Sequence, residues 1–289
     1  MKTLYMLKGL PASGKTGHAH TLISDLGAGN AKRVNKDELR AMLDLRRWSP
    51  SNERFVLAAR DACITLALLE GKSVVVDDTN LHPRHLKHLS GIAETHGAQV
   101  EVVDLTHVPM SECIKRDRAR ANGVGEGVIK DMYVKYICPP PPAYDPAKPM
   151  CVICDIDGTI ATVNGRDWDD PTRYFEDKVV PHVLDTVQRM CAVPGVDLLF
   201  ITGRYSKWRQ VTFDWLRQIA GLGAFALYMR EDGDNRKDFI IKRELYQVFV
   251  EPKYNVHVIL EDRPRVIMDC WQALGFADRI FNCGTGQEF

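Results

Sequence analysis

The chain has 289 residues, of which 45% are hydrophobic and 26% charged, and its 38 basic residues balance 38 acidic ones. This length is roughly twice that of a typical domain and predicts two domains, while the balanced charge argues against a protein that coats nucleic acid through bulk electrostatics. No apolar run reaches the roughly 20 residues of a membrane-spanning helix, and the scattered cysteines suit a reducing compartment, so we expect a cytoplasmic protein without a membrane partner.

Short apolar runs alternate with longer amphipathic stretches along the whole sequence. The strand candidates are residues 3–7, 73–77, 99–105, 150–154, 196–202, 224–229, 256–260 and 279–283. Strands read as nearly continuous hydrophobic runs when helices cover both faces of a parallel sheet. The predicted fold class is therefore α/β, with one parallel-sheet domain in each half of the chain.

A proline-rich segment separates the two halves. Residues 138–149 read C-P-P-P-P-A-Y-D-P-A-K-P. Proline cannot continue a helix or a central strand, and it favours a stiff, extended chain. This pattern predicts a linker at 138–149 between domains at residues 1–137 and 150–289.

A glycine-rich loop follows the first predicted strand. Residues 9–16 read G-L-P-A-S-G-K-T and match the P-loop pattern G-x-x-x-x-G-K-[ST]. In such a loop the backbone around Gly9, Ser13 and Gly14 wraps the phosphates, Lys15 reaches the outer phosphate oxygens, and the Thr16 hydroxyl can bind Mg²⁺. The loop predicts that ATP or another nucleoside triphosphate binds here.

Two later segments could complete a phosphotransferase site. Asp37 and Arg40 share one helix face, where the carboxylate could accept a proton from an attacking hydroxyl and the arginine could hold an anionic acceptor. A solvated first helical turn explains the same spacing. The strand at 73–77 ends in acids, and either Asp77 or Asp78 could lie near Mg²⁺; we favour Asp78.

A third segment has the features of a lid. Residues 111–120 predict a helix capped by Ser111, on which Arg116 and Arg120 share a face, and glycine-rich residues 122–127 follow. An arginine brought over the transferred phosphate would stabilise charge in the transition state. Compensation of the helix dipole by exposed basic residues is the alternative reading.

The second half begins with a strand that ends in the sequence D-I-D-G-T at residues 155–159. Asp155 can attack phosphorus to form an aspartyl-phosphate, and Asp157 can protonate the leaving oxygen and then activate water. Because carboxylates and phosphate repel one another, a cation is needed, which predicts Mg²⁺ beside Asp155 and Asp157.

Further reactive side chains lie at the ends of later predicted strands or on a helix. Thr202 can bind a phosphate oxygen, Lys242 can neutralise the phosphate and the nucleophile, and Glu261 and Asp262 suit the metal. These features resemble the haloacid dehalogenase phosphatase superfamily over nearly the whole second half. The resemblance implies a Rossmann-like phosphatase domain, in which Asp262 is favoured over Glu261 as the metal ligand.

The order of the two domains is similar to that of the bifunctional polynucleotide kinase/phosphatases of the phage type. The resemblance also rests on segments 35–40, 78–80, 164–166 and 233–238. It implies that the first domain phosphorylates 5′-hydroxyl ends of RNA or DNA and the second removes 3′-phosphates, which prepares breaks for a ligase. It further implies a viral or host-cell cytosolic location and a homo-oligomer.

The resemblance also implies roles for individual residues. Asp37 becomes the general base, Arg40 holds the acceptor's neighbouring phosphate, and Arg120, together with Arg116, acts on the donor phosphates. The remaining residues implied to bind substrate are Asp78, Thr79, Arg166, Arg204 and Arg230.

Two other functions are compatible with these residues. One is a kinase/phosphatase of a nucleoside or small metabolite, against which the arginines weigh, since a neutral acceptor needs no phosphate clamp. The other is a non-catalytic module that binds nucleotides or nucleic-acid ends. A pure binder has no need for the base Asp37 or the nucleophile Asp155.

Overall fold

The computed structural model describes residues 2–27, 29–163, 165–167 and 170–284. The chain divides into two compact units, Met1–Ile137 and Cys138–Phe289, at the start of the proline-rich segment. Asn164, which belongs to one of the segments that carry the family resemblance, lies outside the described residues. No helix in the described part of the chain is both long and apolar enough to span a membrane.

The first unit contains a parallel sheet with the strand order β2-β3-β1-β4. Its strands are β1 (Thr3–Lys8), β2 (Ala31–Val34), β3 (Ser73–Val76) and β4 (Gln99–Asp104). Its helices are α1 (Lys15–Leu26), α2 (Lys36–Asp44), α3 (Pro50–Leu69), α4 (Pro83–Thr95), α5 (Met110–Arg118) and α6 (Glu126–Tyr136).

The two central strands of this sheet are covered by helices on both faces. Leu4 of β1 and Val76 of β3 pack on one face with Ile64 of α3 and Leu89 of α4. On the other face, Val75 packs with residues that include Ala19 of α1. Burial of both faces explains why these strands read as continuous apolar runs. It leaves the carboxyl ends of the strands as the edge where polar loops gather.

The second unit contains a five-stranded parallel sheet with the order β11-β10-β5-β8-β9 and a short antiparallel pair, β6 and β7. The strands are β5 (Met150–Cys154), β6 (Ala161–Thr162), β7 (Lys178–Val179), β8 (Val196–Tyr205), β9 (Ala226–Arg230), β10 (Asn255–Glu261) and β11 (Ile280–Asn282). The helices are α7 (Pro181–Cys191), α8 (Arg209–Asp214), α9 (Asp238–Leu245) and α10 (Pro264–Val266), of which the last three continue into π-helical turns.

The predicted α/β class with parallel sheets is confirmed, but some element ends differ from the predictions. The predicted strand at 196–202 continues to Tyr205, and its register with β9 shifts between Thr202 and Tyr205. Such irregularities re-aim side chains beside active sites. Here the shift lies in the segment after Thr202, at the carboxyl end of β8.

The predicted cap of the lid helix is wrong. Helix α5 begins at Met110 with Pro109 as its N-cap, so Ser111 lies inside the first turn. The helix ends at Arg118, and the backbone N–H of Arg120 donates to the Asp117 carbonyl oxygen at 3.3 Å in the turn that follows. Arg116 and Arg120 therefore do not share one helix face, because the chain turns between them.

Candidate active sites

The P-loop connects β1 to α1 and holds Lys15 close to its own backbone. The Lys15 Nζ donates to the carbonyl oxygens of Gly9 at 3.1 Å and Leu10 at 2.6 Å. Burial, the largest effect, lowers the pKa of Lys15 to about 8, although the charge of Asp77 acts to raise it. Gly14 has a φ of +100°, which side chains rarely tolerate. The loop therefore presents a buried ammonium group that lacks a carboxylate partner within ion-pair distance among the described residues.

The two acids after β3 have different surroundings. Asp77 accepts hydrogen bonds from Arg33 Nε at 2.9 Å and Nη2 at 2.7 Å, so its charge is paired. Asp78 Oδ1 accepts from the Lys36 N–H at 2.9 Å, while its buried Oδ2 has no hydrogen bond among the described residues. Burial raises the pKa of Asp78. Asp78 is thus the acid with an oxygen left for a ligand, which supports the choice of Asp78 over Asp77.

The predicted acceptor residues lie on α2, whose N-terminus is capped by Asn35. Arg40 donates to Glu53 from Nε at 2.7 Å and from Nη2 at 2.8 Å, and its Nη1 contacts Asp37. The Asp37 side chain is 85% exposed. Glu53, on α3, was not predicted, because no motif pairs residues so far apart in sequence. The bidentate contact orients the guanidinium group and leaves Asp37 accessible.

A buried carboxylate organises the predicted lid. Asp117 contacts Arg120 and accepts hydrogen bonds from the N–H groups of Val124 at 3.1 Å and Gly125 at 2.8 Å. Burial acts to raise the pKa of Asp117, but these hydrogen bonds outweigh it and lower that pKa. Arg116 pairs with Glu112 at 2.8 Å, and a Cβ built on Gly14 would lie 3.7 Å from its Nη1. Both arginines therefore lie close to the P-loop or its cavity.

A cavity of about 410 Å³ lies between the P-loop, the start of α2 and the lid. It brings together predicted residues that are far apart in sequence, namely Gly14, Lys15, Thr16, Asp37, Arg40, Asp78, Thr79 and Arg120. Gly9, Ser13 and Arg116 do not line it. The cavity places a cationic phosphate-binding loop opposite a carboxylate–arginine pair, which is the arrangement that phosphoryl transfer requires.

In the second unit, Lys242 of α9 is fully buried among carboxylates. Its Nζ lies 2.8 Å from Asp155 Oδ1 and 2.8 Å from Glu261 Oε2. Burial alone would lower the pKa of Lys242, but the charges of Asp155 and Glu261 raise it well above its usual value. Burial raises the pKa of Asp155. One lysine serves several acids, so the site retains an excess of negative charge that a metal ion can neutralise.

Asp155, Glu261 and Asp262 offer ligand atoms that lie within 4.8 Å of one another. Carboxylate oxygens are the ligands that Mg²⁺ prefers, so this donor set fits the predicted ion. The Thr159 hydroxyl donates to Asp262 Oδ1 at 3.0 Å. Gly158 has a φ of +86°, and a Cβ there would collide with Asp262. The glycine of the D-x-D-G-T motif is needed because the turn passes directly against the Asp262 carboxylate.

The carboxylate of Asp157 does not belong to this cluster. Arg204 donates to it from Nε and Nη2, each at 2.7 Å, and Arg166 Nη2 donates at 2.7 Å. Burial acts to raise the pKa of Asp157, but the two arginines outweigh burial and lower that pKa. The predicted metal residue Asp157 therefore lies outside the carboxylate cluster, because its side-chain oxygens accept hydrogen bonds from guanidinium groups, and its role at the metal stays a prediction.

A second buried acid, Asp177, completes this network. It accepts from Arg166 at 2.9 and 2.6 Å and from Arg204 at 3.2 Å. The Tyr174 ring stacks against both guanidinium groups, with the Arg204 carbon 3.8 Å from the ring centroid. Arg166 and Arg204 are thus buried anchors of Asp157 in this structure, rather than open contacts for a substrate. Asp177 was missed because it lies in no motif and far from its partners in sequence.

We expect Asp177→Ala to lower the free energy of unfolding of the second unit by about 3 kcal/mol, because two buried guanidinium groups would then share one carboxylate. Chemical denaturation measures this change. The control is Asp185→Ala, which removes an exposed pair with Arg189 at 2.7 Å and should cost less than about 0.5 kcal/mol. Equal stabilities for the two variants would contradict the role of Asp177.

The remaining predicted residues of the second unit are also largely buried. The Thr202 hydroxyl accepts from the Arg204 N–H at 3.2 Å at the irregular part of β8. Arg230 donates to the carbonyl oxygens of Gly203 at 2.9 Å and Arg236 at 2.7 Å, so it braces two loops instead of facing open solvent. Arg263, which was not predicted, is 39% exposed and lies 3.3 Å from Asp238. It is the more accessible cation beside this site.

Two family models match the chain, one in each unit. Residues 149–285 match the model described as the polynucleotide kinase PNKP phosphatase domain, and residues 4–136 match the model of an AAA domain. The two matches coincide with the two units that carry the candidate sites.

The chain is also similar to curated proteins. A putative bifunctional polynucleotide kinase/RNA ligase of Autographa californica nuclear polyhedrosis virus is 27% identical over 310 aligned positions, which cover 100% of this chain and 43% of the viral protein. An L-seryl-tRNA(Sec) kinase of Methanococcus maripaludis is 28% identical over 138 positions, which cover 47% of this chain and 53% of the kinase. The chain thus spans about half, or less, of the length of these relatives.

Among solved structures, a chain of the Pnkp1/Rnl/Hen1 RNA repair complex is 25% identical with a TM-score of 0.48, and the match covers 99% of this chain and 97% of that chain.

Proposed function

We propose that this chain is a bifunctional polynucleotide kinase/phosphatase that heals the ends of broken nucleic acid. Its P-loop domain and its PNKP-type phosphatase domain support this proposal. The first domain would transfer the γ-phosphate of ATP or another nucleoside triphosphate to a 5′-hydroxyl. The second would hydrolyse a 3′-phosphate through an aspartyl-phosphate. The observation that carries the proposal is the cavity in which the P-loop Lys15 lies opposite Asp37 and Arg40.

In the kinase reaction, the exposed Asp37 carboxylate would take the proton of the attacking 5′-hydroxyl. The new bond joins that oxygen to the γ-phosphorus, the bond from the γ-phosphorus to its bridging oxygen breaks, and the nucleoside diphosphate leaves. Lys15 and Arg120 would stabilise the charge that develops on the transferred group. Thr16 and Asp78 line the same cavity and would hold the Mg²⁺ that accompanies the nucleotide.

The position of Arg40 supports a nucleic-acid acceptor over a nucleoside or a small metabolite. Glu53 orients its guanidinium group beside Asp37, where it can bind a phosphate next to the attacking hydroxyl. A polynucleotide 5′ end carries such a phosphate one nucleotide away, whereas a nucleoside has none. The names of the viral relative and of the matched phosphatase family, which both refer to a polynucleotide kinase, agree with this choice.

In the phosphatase reaction, a carboxylate oxygen of Asp155 would attack phosphorus while the bond to the 3′-oxygen breaks. Asp157 would protonate that oxygen and then take a proton from the water that hydrolyses the aspartyl-phosphate. Mg²⁺ held by Asp155, Glu261 and Asp262 would neutralise the charge of carboxylate and phosphate.

The products of both reactions, a 5′-phosphate and a 3′-hydroxyl, are the ends that a nucleic-acid ligase joins. We therefore propose that the chain works with a ligase, as the name of the viral relative suggests for that protein. A cytosolic location and a homo-oligomeric state remain predictions. Light scattering on the purified protein tests the oligomeric state.

The function is tested with oligonucleotides of RNA and DNA that carry a 5′-hydroxyl or a 3′-phosphate, in the presence of Mg²⁺ and labelled ATP. We expect labelling of the 5′ end and release of phosphate from the 3′ end. Turnover of mononucleosides and 3′-mononucleotides, without activity on any oligonucleotide, would instead establish a small-molecule enzyme.

We expect Asp37→Asn to reduce the kinase rate by about 100- to 10,000-fold, because the acceptor hydroxyl loses its general base. The matched control is Glu38→Gln at the next residue. The Glu38 carboxylate pairs with Arg33 at 2.7 Å, and Glu38 does not line the kinase cavity. Single-turnover kinetics with labelled ATP measure both variants. A full kinase rate for Asp37→Asn would rule out Asp37 as the base.

A further inference from the structure

A second cavity in the first unit lies between α3 and α4 and has a volume of about 570 Å³. We call it the α3–α4 groove. No carboxylate side chain lines it within the described ranges. The polar side chains that line it are those of Thr65, Arg84, Lys87, His88, Thr95 and His96.

The two permanent cations of the groove are available for a ligand. Arg84 and Lys87 are exposed, and neither has a carboxylate within 4.0 Å in the part of the chain that the structure describes. By contrast, Lys130 on α6 pairs with Glu126 at 2.6 Å. His88 contacts Asp61 at 2.8 Å and can present its imidazole edge beside them. Two unpaired cations in a concave surface favour an anionic ligand.

Gly91 keeps the middle of the groove open. It lies on the α4 face that also carries Arg84, Lys87 and Thr95, since these positions recur at helical spacing. A Cβ on Gly91 would meet no atom within 4 Å, so local packing does not require glycine there. Glycine weakens a helix relative to every other residue except proline. A ligand that crosses the helix at this point would explain the missing side chain.

A chain of side-chain contacts connects the groove to the kinase site. Arg60 lies 3.8 Å from the buried Asp78 and donates to Asp61 at 2.7 Å, and Asp61 contacts His88 at the groove. The first turn of α4 follows closely after the Asp78 segment in the sequence. Helix α3 contributes to both regions, because its first turns carry the Glu53 that holds Arg40 and a later turn carries Thr65, which lines the groove.

We propose that the α3–α4 groove binds the sugar–phosphate backbone of the strand whose 5′-hydroxyl lies in the kinase site. This inference rests on the proposed kinase function. From Arg84 to His96 the helix rises by about 18 Å, at about 1.5 Å per residue. That length is sufficient for contacts with several successive phosphates of one strand. The groove offers phosphate contacts only, so binding is independent of base sequence.

The first test compares the wild-type protein with Arg84→Ala/Lys87→Ala, using fluorescence anisotropy on a 12-nucleotide single strand with a 5′-hydroxyl. Loss of two phosphate contacts should weaken binding roughly 10- to 30-fold at 0.1 M salt and reduce the slope of log K against log salt by about 1.4. A dinucleotide acceptor, which is too short to reach the groove, should be phosphorylated at the wild-type rate.

Two sets of control variants separate the groove from general effects of charge. Lys32→Ala/Lys72→Ala removes the same charge from residues that do not line the groove, and should retain wild-type affinity. Arg84→Lys/Lys87→Arg keeps the charge and should retain most of the affinity.

The second test places a new side chain in the groove. Gly91→Gln and Gly91→Glu add nearly the same volume, and both residues favour helix more than glycine does. We expect Gly91→Glu to weaken binding of the 12-nucleotide strand at least about fivefold more than Gly91→Gln, and its salt dependence to be smaller. Equal affinities for the two variants would contradict a phosphate track across Gly91.

The outcomes distinguish this inference from the proposed function. If Arg84→Ala/Lys87→Ala retains wild-type affinity and salt slope, the groove inference is wrong, while labelling of oligonucleotides still supports the kinase function. If the wild type binds oligonucleotides through Arg84 and Lys87 without phosphorylating them, the kinase function is wrong, and the groove binds a nucleic-acid backbone that is not a kinase substrate. If the wild type neither binds nor phosphorylates oligonucleotides, both are wrong.

Discussion

Asp155→Asn is expected to abolish release of phosphate from a 3′-phosphorylated oligonucleotide while transfer to a 5′-hydroxyl continues at the wild-type rate. The rate should fall by at least about 1,000-fold, because the amide cannot form the phosphorylated intermediate. The loss should be specific, since Asp155 belongs to the second unit and the candidate kinase site is built from the first. Phosphate release and labelling of the 5′ end are measured on the same preparation.

The stability of this variant separates a catalytic from a structural role. Asp155 lies beside Glu261 and Asp262, and Lys242 is the buried lysine that compensates them. Without bound metal, the neutral amide that replaces the Asp155 carboxylate should relieve repulsion, so the free energy of unfolding should stay constant or rise. The control Asp278→Asn, at an exposed position on this unit, should keep full phosphatase activity. Phosphatase activity that persists in Asp155→Asn would exclude Asp155 as the nucleophile.

Lys15→Ala is expected to produce the reciprocal result, with kinase activity lost and 3′-phosphatase activity unchanged. The Lys15 ammonium group is buried at the P-loop, where it can neutralise the transferred phosphate more strongly than an exposed cation could. We expect a loss of at least about 1,000-fold in kinase rate, the scale on which cations act in phosphoryl transfer. Labelled ATP and a 5′-hydroxyl oligonucleotide measure it.

A companion variant tests whether Lys15 acts through its charge. Lys15→Met keeps most of the side-chain volume without the ammonium group, and should lose kinase activity to the same extent as Lys15→Ala while folding normally. Lys72→Ala, at a partly exposed position paired with Glu70, is the control that should retain both activities. A loss of phosphatase activity in either Lys15 variant would indicate that the two sites do not work independently.

The P-loop and the D-x-D-G-T segment could be predicted from sequence because their chemistry is local. In both, the backbone takes a conformation that favours glycine at particular positions: Gly14 and Gly158 have a positive φ, and Gly158 lies against Asp262. Parallel sheets then gather strand ends at one edge, which is why acids after separate strands, such as Asp155 and Asp262, could be expected to meet.

The predicted roles of residues differ from the structure where a role depends on which side chains are close in space. Arg166 and Arg204 were expected to bind substrate, but in this structure they hold Asp157 against the unpredicted Asp177. Arg230 was expected to do the same, yet it braces backbone carbonyl groups. The sequence does not indicate whether an arginine faces solvent or a buried acid, because the tertiary packing determines its partner.

Contiguous motifs and the alternation of apolar runs were therefore sufficient to predict the α/β class, the family resemblance and the two candidate phosphate-binding loops, since backbone geometry imposes those residues at those spacings. Tertiary structure alone decided the long-range pairs, in which Glu53 orients Arg40, Arg33 pairs with Asp77, and Asp177 anchors the arginines around Asp157. It also decided which cations remain open, notably Arg84 and Lys87 of the groove. The physical reason is burial: a charge taken out of water must find a partner, and the fold rather than the local sequence determines which one lies within reach.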